Sequence, residues 1–277
     1  MYTLDLAGVA AGLEQREDGI WFARHHAPVS YPAHGNAGSL QIEDNSFWFR
    51  HRNRCITSLA RRFPPNGVFL DIGGGNGYVA QGLTQAGIAC ALLEPGLDGA
   101  RAARARGIDP VICARLEDAA LSPSSLGAAG MFDVLEHIED EAGVLRLVHR
   151  LLRPGGRLFL AVPAYPLLHS ADDVAAGHFR RYTLSRLSRA LRSAEFRIEY
   201  KSYMFAPFPP LVFLLRTVPS LLGVRQGLDE QREAAEHAPG GMAMRLIDKF
   251  LDVEARRIAA GATIPFGTSC LAIAIKD

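Results

Sequence analysis

The chain has 277 residues, of which 48% are hydrophobic, and its 30 basic and 29 acidic residues leave a formal net charge of +1. This length accommodates one large α/β domain, an appended region and a sizeable buried core. A net charge so close to zero argues against general nucleic-acid affinity, and we expect no nucleic-acid partner.

Residues 1–62 are predicted to form an N-terminal helical region that caps the following domain. The stretch from Ile42 to Arg54 combines three consecutive aromatic residues with several basic ones. Such a mixture can stack on nucleic-acid bases, but three adjacent aromatic residues make no repeating platform. We therefore interpret the stretch as an amphipathic helix over a ligand-binding cleft, with Trp48 or Arg52 near the ligand.

A strand followed by a glycine-rich turn begins the next region. Val68–Ile72 is an apolar run typical of a buried parallel strand. Gly73, Gly75 and Gly77 follow at alternate positions, and glycine lets the backbone turn sharply and approach a ligand closely. The helix predicted over Tyr78–Ala86 points its N-terminus at this turn, which is how nucleotide-like cofactors are bound.

Two cofactor classes fit this turn. Gly75, Gly77 and Ala80 supply a G-x-G-x-x-A pattern, so an NAD-dependent oxidoreductase is one alternative. Asp71, at the carboxyl end of the strand and two residues before Gly73, favours the other. A carboxylate there would repel a pyrophosphate but would suit a cationic ligand or its ammonium group.

The second and third strands add further candidates. Ile88–Leu93 is predicted to be the second strand, and Glu94 follows it, about twenty residues beyond the glycine turn, where doubly wound folds place a carboxylate for ribose. Its two oxygens can accept both vicinal hydroxyl hydrogens. Val111–Cys113 is the predicted third strand, and an acidic loop, residues 114–118, comes after it.

The fourth landmark is the stretch Phe132–Asp140, which reads F-D-V-L-E-H-I-E-D and follows a predicted strand at Leu126–Met131. A helix with an acidic first turn, as the helix dipole favours, is predicted to continue to Leu151. Leu152–Gly156 reads L-R-P-G-G and ends that helix, and Arg157–Val162 is the predicted fifth strand.

Together these stretches resemble the class I S-adenosylmethionine-dependent methyltransferases. An acid before a G-x-G-x-G turn is similar to their motif I, and the pairing of F-D-V-L-E-H-I-E-D with L-L-R-P-G-G-R-L is very similar to their corresponding stretch. The segment E-x-x-x-F-W-F-x-x-R before the first strand is similar to one in many bacterial members. A dehydrogenase has no reason to carry these features. A catalytically inactive methyltransferase-like subunit is the remaining alternative.

The resemblance implies a Rossmann-like doubly wound α/β sheet, mostly parallel with an antiparallel last strand, and S-adenosylmethionine as the cofactor. It implies that Asp71 and the glycine turn hold the methionine end of the cofactor, Glu94 the ribose, and the loop at Leu116 and Glu117 the adenine. The expected cofactor-binding residues are thus Asp71, Gly73, Gly75, Gly77, Glu94, Leu116, Glu117 and Asp133.

A polar loop beyond the fifth strand is expected to flank the acceptor, because ligands lie at the carboxyl ends of such strands. Its sequence resembles the D-x-x-x-G-H-x-R-R-Y pattern of a methyltransferase subfamily, many of whose members act on small molecules or glycans. The alternative is a salt-bridge network that caps a helix, with Thr183 as N-cap. The expected substrate contacts are Trp48, Arg52, Tyr165, Asp173, Arg181 and Tyr182.

The expected reaction is methyl transfer to a small-molecule or glycan/lipid-precursor acceptor, at oxygen. A hydroxyl acceptor would benefit from a general base, and His137 and His178 are the candidates because imidazole titrates near neutral pH. His25, His26 and His34 have no metal-ligand spacing, and we expect no metal. The four cysteines form no C-x-x-C pair and no leader is evident, so a cytoplasmic enzyme is expected.

An insertion separates the predicted sixth strand, Phe196–Tyr203, from the last one, Ser269–Lys276. Its first part, Tyr203–Leu222, is strongly apolar, but four prolines and Arg216 argue against a transmembrane helix. A lid or dimer surface is favoured over a monotopic membrane contact, in a monomer or homodimer. The predicted units are 1–62 for the cap, 63–202 with 268–277 for the methyltransferase domain, and 203–267 for the insertion.

Overall fold

The computed structural model describes residues 6–10, 12–23, 43–224, 227 and 241–277. His25, His26 and His34, considered above for metal binding, lie outside the described residues.

Among the described residues, nine strands form a single sheet. Their order across the sheet is β1 (Leu13–Gln15), β2 (Trp21–Ala23), β5 (Val111–Cys113), β4 (Cys90–Leu93), β3 (Phe69–Ile72), β6 (Leu126–Phe132), β7 (Leu152–Pro163), β9 (Ser269–Ile275) and β8 (Arg197–Met204). The last strand of the chain, β9, lies between β7 and β8 and is antiparallel to both. The predicted doubly wound, mostly parallel sheet with an antiparallel last strand is confirmed.

The order of the strands reverses at β3, which pairs in parallel with β4 on one side and with β6 on the other. Ligands of doubly wound sheets bind outside the carboxyl ends of the strands at such a switch point. The residues that follow these strands directly, from Gly73, Glu94 and Asp133 onward, therefore share one edge of the sheet.

Helices cover both faces of the sheet. The described helices are α1 (Leu6–Val9), α2 (Phe47–Arg62), α3 (Tyr78–Gln85), α4 (Leu97–Ala105), α5 (Glu141–Leu151), α6 (Ala171–Ala175), α7 (Leu184–Ser193), α8 (Pro209–Val212), α9 (Val218–Leu221) and α10 (Gly241–Ala259), with a π-helical turn at Phe213–Thr217 and 3₁₀ turns at Leu135–His137 and Pro166–Leu168. Apolar residues of one face of the sheet pack with α5 and α7, and those of the other face pack with α2, α3, α4 and α10.

The N-terminal region differs from its prediction, because it contains a β-hairpin as well as helices. Strands β1 and β2 pair antiparallel, and β2 pairs in parallel with β5, so the hairpin extends the sheet. The turn is closed by hydrogen bonds between the backbones of Arg16 and Ile20 at 3.0 Å and of Gly19 and Arg16 at 2.9 Å. The Asp18-Gly19 dipeptide is the local signal for this hairpin.

The insertion is attached to the N-terminal region through a buried polar contact. Glu254 of α10 is 2% exposed and lies 2.8 Å from the imidazole Nε2 of His51 in α2. The same carboxylate accepts hydrogen bonds from the backbone amides of Phe205 at 2.6 Å and Ala206 at 2.9 Å. In the part of the chain that the structure describes, no helix is both long and apolar enough to cross a membrane.

Candidate active site

The glycine turn after β3 has positive φ angles and close neighbours, both of which disfavour residues that carry a Cβ. Gly73, Gly75 and Gly77 have φ values of +66°, +53° and +81°. A Cβ on Gly73 would lie 2.7 Å from Cγ2 of Val134, and one on Gly77 would lie 2.9 Å from Cβ of Ala103. The sequence pattern of alternating glycines therefore follows from the close approach of this turn to its neighbours.

Glu94 connects the end of β4 to the glycine turn. Its side chain is buried, and its carboxylate accepts hydrogen bonds from the backbone amides of Gly75 at 2.9 Å and Gly96 at 2.7 Å. These two bonds fix the carboxylate between the glycine turn and the residues that follow β4. The residue thus shapes the turn on which the cofactor is expected to lie.

Asp71 is a buried acid at the carboxyl end of β3. It is 1% exposed, and among the described residues its Oδ2 has no hydrogen-bond partner. Burial raises the pKa of Asp71 to about 7, with Glu94 adding to the rise, while Arg52 and the amide of Ala80 oppose it. An ammonium group placed here would satisfy the unpaired oxygen and stabilise the charged carboxylate.

The helix α2 brings Arg52 to the same edge of the sheet. Its guanidinium bonds Oδ2 of Asp133 and lies 4.5 Å from the ring centroid of Trp48. Asp133 directly follows β6 and has a φ of +57°. Trp48 in turn stacks on Phe205, with ring centroids 5.6 Å apart. The expected helix is present, and Arg52 links it to the strand end beside the glycine turn.

The two residues expected beside the adenine have different environments. The Leu116 side chain is 6% exposed and belongs to the hydrophobic core. The Glu117 side chain is 46% exposed, and its Oε2 lies 3.5 Å from Nε of Arg115. Any contact of Leu116 with a cofactor therefore has to come from its backbone, whereas the Glu117 carboxylate is accessible.

Two of the expected substrate contacts are structural. Tyr182 is fully buried, and its hydroxyl donates to Oε2 of Glu141 at 2.7 Å. The backbone amide of Tyr182 donates to the carbonyl of Pro163 at 2.9 Å, and its carbonyl accepts from the amide of Tyr165 at 2.7 Å. These two bonds align residue 182 with the end of β7, and its side chain lies in the core. The structure therefore gives Tyr182 a packing role in the core, and its substrate contact stays a prediction. Arg181 is 8% exposed and also points inward.

Asp173 organises the polar loop. It is 2% exposed and accepts hydrogen bonds from Nε and Nη2 of Arg181 at 2.8 and 3.0 Å. Its Oδ1 also lies 2.8 Å from Nδ1 of His178. Despite burial, which acts in the opposite direction, the bonds to His178 and Arg181 hold the pKa of Asp173 well below its ordinary value. The acid and arginine therefore position His178, and the substrate contacts expected of both stay predictions.

Tyr165 remains accessible at the carboxyl end of β7. Its ring stacks on that of Tyr203 with centroids 5.1 Å apart, and burial together with a hydrogen bond to Tyr203 raises its pKa to about 12. Tyr165 has a φ of +58°, and Phe205, which follows β8, has a φ of +63°. With Asp133, this makes three strained non-glycine residues at one sheet edge, a feature that often marks functional sites.

Glu136, His137 and His178 meet beside this edge. The rings of His137 and His178 are T-shaped with centroids 4.6 Å apart. Burial and the neighbouring His178 lower the pKa of His137 to about 4, although hydrogen bonds to the backbone of Ala176 and Gly177 oppose this shift. Glu136 is fully buried, and burial, with the nearby charge of Asp133, raises its pKa well above the ordinary value.

Two residues of this site received no role from the sequence. Glu136 lies inside the F-D-V-L-E-H motif, and only the fold brings it to His178. Glu43 accepts hydrogen bonds from Nδ2 of Asn76 in the glycine turn at 3.1 Å and from Nη2 of Arg106 at 2.9 Å. Glu43 is the first residue of the E-x-x-x-F-W-F-x-x-R segment, and this position is the sequence feature that could have identified it.

Residues 45–201 match the family described as methyltransferase domain. A probable S-adenosylmethionine-dependent methyltransferase of Mycolicibacterium smegmatis is 27% identical over 62% of this chain and 68% of its own length. A ubiquinone biosynthesis O-methyltransferase of Pseudomonas aeruginosa is 31% identical over 33% of this chain. The chain spans only 42% of that relative's length.

Solved structures share the fold at low sequence identity. A chain from the complex between the Haloferax volcanii Trm112 methyltransferase activator and a methyltransferase has a TM-score of 0.55 and 17% identity, covering 88% of this chain and 93% of its own. The Haemonchus contortus phosphoethanolamine N-methyltransferase 2, solved with S-adenosyl-L-methionine, has a TM-score of 0.54 and 18% identity, covering 88% of this chain and 57% of its own. Together with the matched family, the glycine turn and the buried acid beside it show that this chain belongs to the class I S-adenosylmethionine-dependent methyltransferases.

Proposed function

We propose that this methyltransferase transfers its methyl group to a hydroxyl oxygen of a small-molecule or glycan/lipid-precursor acceptor. The observation that carries the proposal is the pair formed by His178 and Asp173, whose Nδ1–Oδ1 distance is 2.8 Å. A histidine oriented by a buried carboxylate is suited to remove a proton from a hydroxyl. Similarity to a protein named as an O-methyltransferase supports oxygen as the acceptor atom.

Cofactor binding is proposed for the residues at the switch point. Asp71 and the turn of Gly73, Gly75 and Gly77 hold the methionine end, because the unpaired oxygen of Asp71 suits an ammonium group. Glu94, at the end of β4, accepts hydrogen bonds from the ribose hydroxyls, as strand-end acids do in doubly wound folds. The adenine lies by the loop of Leu116 and Glu117. Asp133, which forms an ion pair with Arg52, borders the cofactor at the end of β6.

The transfer itself needs alignment more than activation, because a sulfonium already carries an electrophilic methyl group. When bound, the cofactor would supply this methyl group to the acceptor oxygen, and the electron pair of the broken carbon–sulfur bond would stay on sulfur to give S-adenosylhomocysteine. The hydroxyl proton moves to Nε2 of His178, since Nδ1 of that ring is bound to Asp173. His137, the other candidate base, holds a proton less strongly than an ordinary imidazole, because its pKa is lowered to about 4.

Acceptor selection is proposed for the two regions outside the central sheet. Trp48 and Arg52 of α2 and Tyr165 at the end of β7 border the cleft from the N-terminal region and the sheet. The insertion acts as a lid or a dimer surface, and Glu254 of α10 ties it to α2 and to the chain after β8. The proposed units remain 1–62, 63–202 with 268–277, and 203–267, with the hairpin of the first unit added to the sheet.

The test uses S-adenosylmethionine with a carbon-13-labelled methyl group and a panel of phenols, sugar alcohols, polyprenyl alcohols and amines. The expected product carries a methoxy carbon, which nuclear magnetic resonance distinguishes from an N-methyl carbon. His178→Gln is expected to lower kcat by about 10²-fold or more, whereas the control His169→Gln is expected to retain it. Formation of N-methyl products alone, or full activity of His178→Gln, contradicts the proposal.

A further inference from the structure

We propose that Glu136, His137 and His178 form a binding site for a divalent transition-metal ion. Each residue offers one ligand atom, a carboxylate oxygen or a ring nitrogen, and these atoms all lie within 4.8 Å of one another. Two imidazoles and one carboxylate are a donor set suited to Zn²⁺, with Fe²⁺ as the other common occupant. Since the three residues come from two segments of the chain, the fold and not a spacing motif creates the site.

The dimensions of the cluster are close to those of a zinc centre. Zn²⁺ binds nitrogen and oxygen at about 2.0–2.2 Å, so tetrahedral ligand atoms lie about 3.4 Å apart. The observed limit of 4.8 Å exceeds this separation by little more than an ångström. Coordination would therefore require the three ligand atoms to approach one another by little more than an ångström.

Both histidines already have the outer partners that metal-bound histidines use. A ligating imidazole usually donates its other ring N–H to a carboxylate or a backbone carbonyl, which fixes the ring. Nδ1 of His178 bonds Asp173, which Arg181 holds in place, and so Nε2 of His178 is the nitrogen left for a ligand. The ring of His137 hydrogen-bonds the backbone of Ala176 and Gly177.

The environment of Glu136 is an independent indication of a cation. Its side chain is fully buried, and neither carboxylate oxygen has a hydrogen-bond partner among the described residues. Burying a carboxyl group without partners is unfavourable, and an apolar residue of similar size would avoid the cost. A divalent ion between Glu136 and the two histidines would compensate the buried charge and explain why an acid stands here.

Three protein ligands leave at least one coordination position open, which is typical of catalytic rather than structural metal sites. His137 and His178 are both partly exposed, so the open position can be reached from solvent. A hydroxyl bound there would lose its proton more readily, because a metal ion lowers the pKa of a coordinated oxygen. This use of the ion rests on the proposed function and would replace proton removal by Nε2 of His178, whereas metal binding itself does not depend on it.

The experiment measures metal binding by the full chain in the absence of cofactor and acceptor. The protein is stripped with a chelator, checked for folding by circular dichroism, and titrated with Co²⁺, whose visible absorption reports coordination; Zn²⁺ is then added as competitor. The expected result is one Co²⁺ per chain, displaced by one Zn²⁺. Failure of the wild-type protein to bind either ion at about 100 μM, with the fold intact, overturns the inference.

Variants assign the ion to this cluster. Glu136→Gln keeps the size of the side chain, and His178→Gln keeps one polar group; each is expected to weaken Co²⁺ binding at least tenfold, while His169→Gln binds like the wild type. Asp173→Asn, which acts through His178, is expected to weaken it about 10–100-fold. Unchanged binding by both Glu136→Gln and His178→Gln overturns the assignment.

The same preparations separate this inference from the proposed function. O-methyl transfer at an equal rate by the stripped and the Zn²⁺-loaded protein would keep the proposed function and remove the catalytic role of the ion. Stoichiometric Zn²⁺ binding with only N-methyl products would support the metal site and contradict the proposed hydroxyl acceptor.

Discussion

The carboxylate of Glu94 accepts a hydrogen bond from the backbone amide of Gly75 at 2.9 Å, so the acid that ends β4 holds the glycine turn that follows β3. In this fold a strand-end acid is expected to bind ribose, and here it also stabilises the loop on which the cofactor would lie. The two roles are linked, because a displaced turn would move every cofactor contact that it makes.

Replacing Glu94 should therefore weaken cofactor binding through both roles. Glu94→Ala removes the bonds to the Gly75 and Gly96 amides together with any bond to ribose, and we expect a loss of about 1–3 kcal/mol in S-adenosylhomocysteine affinity by calorimetry. Glu94→Gln retains one carbonyl acceptor and should lose less. Unchanged affinity in Glu94→Ala would rule out both the ribose contact and the support of the turn.

Asp71 predicts a pH dependence of cofactor binding. Its pKa is raised to about 7, chiefly by burial, with Glu94 and Arg52 as the charged groups that act on it and the Cys90 thiol close by. An ammonium group binds the ionised form, so affinity for S-adenosylhomocysteine should rise as the pH increases from about 6 to 8. Calorimetry at several pH values measures this, and Asp71→Asn should bind weakly with a flat profile.

The same group predicts an opposite effect on the stability of the ligand-free protein. Between its ordinary value of 3.8 and about 7, the folded state keeps a proton on Asp71 that the unfolded state has lost. Stability therefore falls as the pH rises through this window, and it stays lower above it. Asp71→Asn should raise Tm relative to wild type at pH 8 and change it little at pH 4; equal Tm differences at both pH values would contradict the assignment.

Local sequence signals were sufficient for the central sheet, because each of its parallel strands is an apolar run that ends in turn residues. The N-terminal hairpin was not predicted, because β1 and β2 have three residues each and the hairpin joins the sheet only where β2 pairs with β5. Three-residue strands carry too little periodicity to distinguish from a loop.

The site residues show a similar division between local and tertiary information. Asp71 and Glu94 adjoin predicted strand ends, so their edge of the sheet followed from topology. Burial separates Tyr182 from Tyr165, and neighbouring sequence does not encode which of two tyrosines faces the core. Glu136 and His178 meet only through the packing of the polar loop against the β6 end, where the Phe179 amide bonds the Glu136 carbonyl at 2.9 Å.

Gly77 and Gly87 provide a matched pair for the role of the glycine turn. Both have a φ of +81°, so alanine at either position pays a similar backbone cost of about 1–2 kcal/mol. Of the two positions, only at Gly77 would the new Cβ meet other atoms, two of Ala103 at 2.9 and 3.0 Å and one of Ile108 at 3.3 Å. Denaturant unfolding should show the larger loss for Gly77→Ala, and cofactor binding should fail only in that variant. Weakened binding in Gly87→Ala would show instead that global stability controls affinity.

Tyr182 and Tyr165 test the distinction between packing and acceptor contact. Tyr182→Phe removes a buried hydroxyl that donates to Glu141 at 2.7 Å, so unfolding free energy should fall by about 1 kcal/mol while methyl transfer is retained. Arg180 and Arg186 remain near the Glu141 carboxylate, which limits the loss. Tyr165→Phe removes a hydroxyl at the accessible strand end, and the expected change is a higher acceptor KM with little effect on Tm. A lower kcat in Tyr182→Phe at unchanged Tm would place Tyr182 in the active site, since a core side chain affects turnover only by way of the fold.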